Sequence, residues 1–381
     1  MNHTTWIEIN KAALDHNIKQ YQSWLPAQTA IAAVVKANAY GHGLVELGKL
    51  HQQHPAIIRL CVANAQEGVT LRQHGITKPI LILGFINTPW EMIPQYKLDV
   101  IVSDLETLQQ LNTVGQQHNT VINVHVKVDT GLSRLGFLPQ DVPAAFACIQ
   151  TLKYLNLQGL CSHFIEAFNK DLVHKQEDIL KQFWQPGLQI HIANSNSSLH
   201  TKYTYSFARI GAGLYGYLPE ADPSLQNLLQ PVLSLKTRVI SIKKVPAGSS
   251  VGYGSTTHVT TKPTTIAILG MGYFEGIDPD LSNFGNVIIH DALAPIIGRI
   301  NMNYFMVDVT HIPSTHMGDI ATLLGATQTQ EINGYNWRIG SKKNVRIFLA
   351  RLQGHIPRVI VDQPIVMKSP QYNQQSNLEQ R

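Results

Sequence analysis

The chain is poor in charge for its length. Asp, Glu, Lys and Arg make up 14 % of its 381 residues, and the formal net charge of +5 is spread thinly. No Lys/Arg run or basic helix stands out, so nucleic acid is not an expected partner. No apolar stretch approaches the roughly 20 residues that a membrane span requires. The opening MNHTTWIEIN has no basic segment followed by an apolar one, so no secretory leader is expected. Cysteine is scarce as well. Cys61, Cys148 and Cys161 are an odd number, all lie in the first half, and none stands at metal-ligand spacing. They read as reduced thiols of a cytoplasmic protein, and no metal site is expected.

What the chain does have is apolar content, 44 % of its residues, enough for a large core. After WIEINKAALDHNIKQYQSWL, a short strand feeding a helix, apolar runs alternate with helical patterns. The runs are AIAAVVKA, IIRLCVA, PILILGF, DVIVSD, INVHVKVD, LQGLCSHF, LQIHIAN and FARIGAG. They are rich in Val, Ile and Leu and lack strict polar alternation, the pattern of a parallel sheet covered by helices. A count of eight favours a closed (β/α)8 TIM-type barrel over an open doubly wound sheet. Near residue 230 the strands shorten, turns multiply and polar alternation appears, predicting a mainly antiparallel β-domain. The expected divisions are a barrel over 1–230, a β-domain over 231–365 and a polar, disordered tail over 366–381.

In such a barrel, functional side chains gather at the C-terminal ends of the strands. Lys36 ends the first run, with Tyr40 in the loop behind it. The fifth gives KVDTGLSRLGF with Lys127 and Arg134, and the sixth ends in His163. The seventh runs into Asn194 and Ser195, and the eighth contains Arg209, followed by Gly211 and Ala212. The last two loops commonly hold a phosphate, and Ser195 with the turn at Gly211 and Ala212 offers hydroxyl and N–H donors. A strand-end lysine beside a phosphate site and other cations suits a Schiff base with pyridoxal phosphate. Taken alone, Lys36 also fits a lysine snorkelling from a strand end.

The ordered set AVVKANAYGHG, KVDTGLSRLGF, HIANS, ARIGAGLYG, VGYGST, MGYFEG and VDVT…MGD resembles the alanine racemases, over roughly residues 5 to 360. The resemblance implies an isomerase that interconverts L- and D-alanine by a two-base mechanism and supplies D-alanine for peptidoglycan. Lys36 would bind pyridoxal phosphate and act on the D-enantiomer from one face, and Tyr253 on the L-enantiomer from the other. His163 and Arg209 would support the Tyr253 phenol, whose unperturbed pKa near 10 needs help to act as a base. Arg209 would face the cofactor's pyridine nitrogen, and Arg134 its phenolic oxygen and the substrate carboxylate. Tyr40, Asn194, Ser195, Gly211 and Ala212 would complete the cofactor site. Met302, through its N–H, and Tyr273, at a narrow entrance, would meet the substrate. Lys127 matches a position carbamylated in many members, the bland alternative being a Lys127–Asp129 ion pair. A homodimer is implied, with Tyr253 reaching in from the partner subunit.

Two departures stand out. Asn301 and Asn303 flank Met302 where the family commonly has Cys, Ser or Ala and then Asp, and Gly354 stands near a tyrosine that some members place on the phosphate. Asn303 removes a negative charge near the expected place of Tyr253. Other readings are a serine or broader racemase, a fold-related decarboxylase, and a non-catalytic pyridoxal-phosphate carrier. The absence of any cysteine after Cys161 argues against the decarboxylase, and retention of both candidate bases argues against the carrier.

Overall fold

Each of the eight apolar runs forms a strand in the computed structural model, which describes residues 3–199, 204–218, 228–254, 258–334 and 345–362. The expected tail, 366–381, lies outside the described residues. Two compact units emerge from the contacts. One holds Lys11–Val232 and Leu349–Gly354; the other holds the described residues of Met1–Asn10, Leu233–Phe348 and His355–Arg381.

Strand β1 (Thr5–Asn10) opens the chain, and the sequence groups it with the barrel. Its pairing is elsewhere: Thr5 lies opposite Thr237 and Ile9 opposite Leu233, in the second unit. The first unit is built on β2 (Ala30–Val34), β3 (Ile57–Asn64), β4 (Ile80–Phe85), β5 (Asp99–Val102), β6 (Ile122–Lys127), β7 (Leu155–Cys161), β8 (Gln189–His191) and β9 (Phe207–Ile210). They run in the order β8-β7-β6-β5-β4-β3-β2-β9, every pair parallel. The ends of that series meet: Arg209 N–H donates to Ala193 O at 3.0 Å and Ser206 N–H to Ile190 O at 3.0 Å. The sheet is thus a nearly closed barrel. Helices cover it and start where sequence places a cap: the side chains of Asn64, Asp104 and Asn169 each accept a backbone N–H of the first turn. Ala32, Val34, Cys61, Leu81, Ile101, Cys161 and Phe207 form the apolar part of the interior.

In the second unit the long strand β10 (Leu233–Val245) is the hub. It pairs antiparallel with β1, β13 (Thr264–Leu269) and β17 (Ile320–Ala326). The short hairpin β11 (Ser250–Val251) and β12 (His258–Val259) stands apart from the main sheet. The other strands are β14 (Asn286–Ile289), β15 (Ala292–Ile297), β16 (Phe305–Asp308), β18 (Glu331–Ile332) and β19 (Arg358–Val361). Only β1–β19 is parallel among the described pairings, so the unit is the antiparallel β-domain expected from alternation.

Candidate active site

Lys36 leaves the end of β2 into an unusual turn. Ala37, Asn38, Ala39 and Tyr40 have φ of 53°, 54°, 51° and 54°, four consecutive non-glycine residues in the left-handed region. Each such residue costs roughly 1–2 kcal/mol, so something outside the turn must hold it. The Glu67 carboxylate does so. One oxygen accepts Ala37 N–H at 2.7 Å and the other accepts Ala63 N–H at 2.8 Å, at the end of the neighbouring β3. Asn38 Oδ1 accepts Leu44 N–H at 2.8 Å and closes the far side. The amine of Lys36 makes no hydrogen bond or ion pair among the described residues. Burial lowers its pKa, and the cations of Arg134 and Arg209 push the same way against Glu67 and Cys61.

Arg209 is 6 % exposed and is held on several sides. Its guanidinium donates to Ser162 O at 2.7 Å, His191 O at 2.9 Å and Ile192 O at 3.3 Å, and faces His191 Nδ1 at 2.5 Å and His163 Nδ1 at 3.3 Å. Arginine only donates, so His163 Nδ1 is the acceptor and the ring proton sits on Nε2. Burial and the surrounding cations lower the His163 pKa to about 3. His163 is therefore neutral at physiological pH and supports a neighbour by hydrogen bonding, not by charge.

Ser195, Gly211, Ala212 and Tyr40 converge. Ser195 Oγ accepts Gly211 N–H at 3.1 Å and Gly213 N–H at 3.3 Å. A Cβ at Gly211 would lie 2.5 Å from Tyr40 Oη, so only glycine lets that hydroxyl reach the turn. Ala212 is 7 % exposed, and its N–H finds no acceptor among the described residues. A buried donor of this kind calls for an external acceptor. Asn194 plays a supporting part: its Oδ1 accepts the N–H groups of Asn196 and Ser197 and shapes the turn that presents Ser195.

Lys127 is 7 % exposed, and burial lowers its pKa. The ion pair with Asp129 does not form. Asp129 Oδ1 instead accepts the N–H groups of Gly131 and Ser133, the loop carrying Arg134. Arg134 is exposed, close enough for its charge to act on Lys36, Lys127 and His163.

The second unit holds the other candidates. Tyr253 is 66 % exposed between Gly252 (φ 95°) and Gly254 (φ 59°). Gly252 packs against the Gly298–Arg299 backbone, where a Cβ would meet Arg299 N at 2.6 Å. Ser255 and Thr256 of the VGYGST motif lie outside the described residues. Asn301 N–H donates to Tyr304 O at 2.8 Å, leaving Met302 and Asn303 at a two-residue tip. That tip is pinned to Tyr273 by Tyr273 N–H to Asn301 O and Phe274 N–H to Met302 O, both 3.0 Å. Met302 N–H has no acceptor among the described residues.

Sequence reasoning missed Glu67, His191 and Tyr21. Glu67 carried a signal, since N-x-x-E at 64–67 is a helix-start pattern. Tyr21, fully buried, donates to Ser195 O at 2.9 Å from a helix far away in sequence, and nothing local announces it.

The family model for the alanine racemase N-terminal domain matches residues 9–219, and that for the C-terminal domain matches residues 232–360. The chain belongs to the alanine racemase family. An alanine racemase of Halothermothrix orenii is 36 % identical over 340 residues, covering 86 % of this chain and 89 % of its own. An alanine racemase structure from Clostridium difficile 630 superposes with a TM-score of 0.88 at 30 % identity, covering 95 % and 97 % of the two chains. A histidine racemase of Leuconostoc mesenteroides superposes at 0.85 with 25 % identity, covering 95 % and 99 %. The chain is accordingly an isomerase of the racemase type. These comparisons favour that reading over the decarboxylase and the non-catalytic carrier. Among the described residues no helix is long and apolar enough to cross a membrane.

Proposed function

We propose that this chain interconverts L-alanine and D-alanine with pyridoxal 5'-phosphate, in the cytoplasm, as a homodimer supplying D-alanine for peptidoglycan. The observation that carries the reading is Lys36: an amine with lowered pKa, held by a strained turn beside an anion cradle and two arginines. The cradle suits a phosphate monoester, because Ser195 Oγ and Tyr40 Oη both approach Gly211, next to the Ala212 N–H that has no acceptor among the described residues. Lys36 would take the aldehyde carbon, Arg209 would face the ring nitrogen and Arg134 the phenolic oxygen. When bound, the cofactor supplies the electron sink that acidifies the substrate α-proton.

The chain's own residues then do the following. Arg134 grips the substrate carboxylate with its planar fork, helped by Met302 N–H. Lys36 Nζ takes or returns the α-proton on one face, and Tyr253 Oη of the partner subunit does so on the other. His163, neutral, can accept from Arg209 at Nδ1 and donate from Nε2 toward the phenol. Arg209, which keeps its proton, would offer the ring nitrogen a hydrogen bond without protonating it, so a bound cofactor would supply a weaker electron sink there. Lys127, buried with its pKa lowered and making no ion pair with Asp129, suits carbamylation, and the new carboxylate would orient Arg134. Tyr273 would line the entrance.

The test is proton NMR in deuterated buffer with purified protein, cofactor and single enantiomers of alanine, serine and histidine, with optical rotation followed together. Loss of the α-proton signal with racemisation on alanine, faster than on serine or histidine, is the expected result. Exchange on serine or histidine alone would move the substrate assignment, and no exchange on any of them would overturn the reaction.

A further inference from the structure

A chain of buried side chains crosses the barrel interior. Arg59 NH1 lies 3.2 Å from His125 Nε2, His125 Nδ1 lies 3.0 Å from His191 Nε2, and His191 Nδ1 lies 2.5 Å from Arg209 NH1. All four residues are less than a tenth exposed. Burial, reinforced by the arginines, holds both rings neutral, His125 titrating at about 3 and His191 well below its ordinary value. Phe207 is their platform, stacked on His191 at 4.3 Å and covered by the Arg59 guanidinium at 5.0 Å. Gly159 leaves the room, since a Cβ there would lie 2.2 Å from His125 Nδ1.

Both ends of this chain can only donate. Two neutral imidazoles bring two N–H groups and two lone pairs, whereas the three contacts between two arginines need three lone pairs on the rings. One contact must therefore fail. Gln158 decides which. Its Oε1 lies 3.2 Å from His125 Nε2 and gives that nitrogen an acceptor. His125 then carries its proton on Nε2, its Nδ1 accepts from His191 Nε2–H, and His191 Nδ1 keeps a lone pair for Arg209. The contact given up is Arg59–His125, and Arg59 has the Asp99 carboxylate at 3.6 Å instead.

We propose that Gln158 is a positioning residue: by fixing the direction of the His125–His191 hydrogen-bond chain, it keeps a lone pair facing Arg209 and so holds that guanidinium toward the cofactor ring. This rests on the reading that Arg209 serves a bound cofactor. Without the Gln158 acceptor the chain reverses. Arg59 donates to His125 Nε2, His125 Nδ1–H donates to His191 Nε2, and His191 Nδ1–H confronts Arg209, which must shift.

The experiment is nitrogen NMR of histidine-labelled holoenzyme, which reads the tautomer of each ring without turnover, combined with steady-state kinetics. Wild type should show both rings neutral with the proton on Nε2. In Gln158→Leu, at a half-buried position that tolerates the change, both protons should move to Nδ1. Its kcat for alanine should fall about tenfold, the loss of one charge-assisted contact, with KM unchanged. Gln158→Glu retains an acceptor and should keep the wild-type tautomers. A proton on Nδ1 of either ring in wild type, an imidazolium, or Gln158→Leu with unmoved tautomers or unmoved kcat would overturn the proposal. Wild-type protein with the expected tautomers but no racemisation would count against the proposed reaction and not against the direction of the chain.

Discussion

The candidate residues of the two units sit in opposite settings. In the barrel, Arg209 and Lys127 are 6 % and 7 % exposed, and the Lys36 turn is held by Glu67 and Asn38. In the β-unit, Tyr253 is 66 % and Met302 54 % exposed, with Tyr273, Phe274 and Tyr304 exposed on the same pinned pair of turns. Arg209 donates to three carbonyl oxygens and faces two imidazoles of its own unit, so its position is fixed in the single chain. An exposed apolar and aromatic cluster is instead the usual sign of a surface that another molecule covers. The barrel residues of the proposed site are held from within their unit, and the exposed residues are the ones a proposed partner subunit would cover.

The sharpest way to break this contrast is to remove one base from each half. Lys36→Ala should abolish racemisation in both directions, because cofactor capture and proton transfer are lost together. Tyr253→Phe should reduce α-proton exchange of L-alanine by roughly 10²–10⁴-fold while exchange of D-alanine persists, read by NMR in deuterated buffer. Equal loss for both enantiomers in Tyr253→Phe would remove that residue from its assigned face.

Acid should test the buried half. His51 and His125 are fully buried and titrate at about 3 against an ordinary 6.5. Above pH 6.5 the rings are neutral in both folded and unfolded chains. As pH falls below 6.5 the unfolded chain takes up protons that the buried rings refuse. Stability should therefore decline between pH 6.5 and about 3, by at most about 1.4 kcal/mol per pH unit for each ring. Thermal unfolding from pH 7 to 4 measures it, and hydrogen exchange should show the barrel strands opening before β13 and β16.

Ser195→Ala leaves the Gly211 and Gly213 N–H groups without their shared acceptor and deletes one cradle hydroxyl. Cofactor affinity should weaken by about 1 kcal/mol, a five- to tenfold change in a fluorescence titration, with kcat at saturating cofactor little altered. The smallest effect concerns the exposed half. Asn303→Asp should restore a negative charge near the phenol and shift the pH–rate profile by a few tenths of a unit with unchanged thermal stability. A profile identical to wild type would separate Asn303 from Tyr253.

Legibility followed sequence distance. All eight barrel strands were visible because each is an uninterrupted apolar run, and strand-end chemistry then located Lys36, His163 and Arg209. The home of β1 was not visible, since WIEIN alternates like any edge strand and its partner begins more than 200 residues later. Tyr21 and Gln158 act through contacts that only the closed barrel creates. The neutrality of His163 was hidden too, because burial sets it. The part Asn194 plays in shaping its own turn was hidden as well, since its amide oxygen accepts from residues that the turn itself brings near.

The left-handed stretch from Ala37 to Tyr40 has one more consequence. Its backbone has the hand that mirror-image residues prefer, so a chemically synthesised chain with D-alanine at positions 37 and 39 would be more at ease there than the natural one. In the proposed reading, this is the segment that carries Lys36, so the enzyme would make D-alanine at a place where its own backbone takes the D-residue's shape.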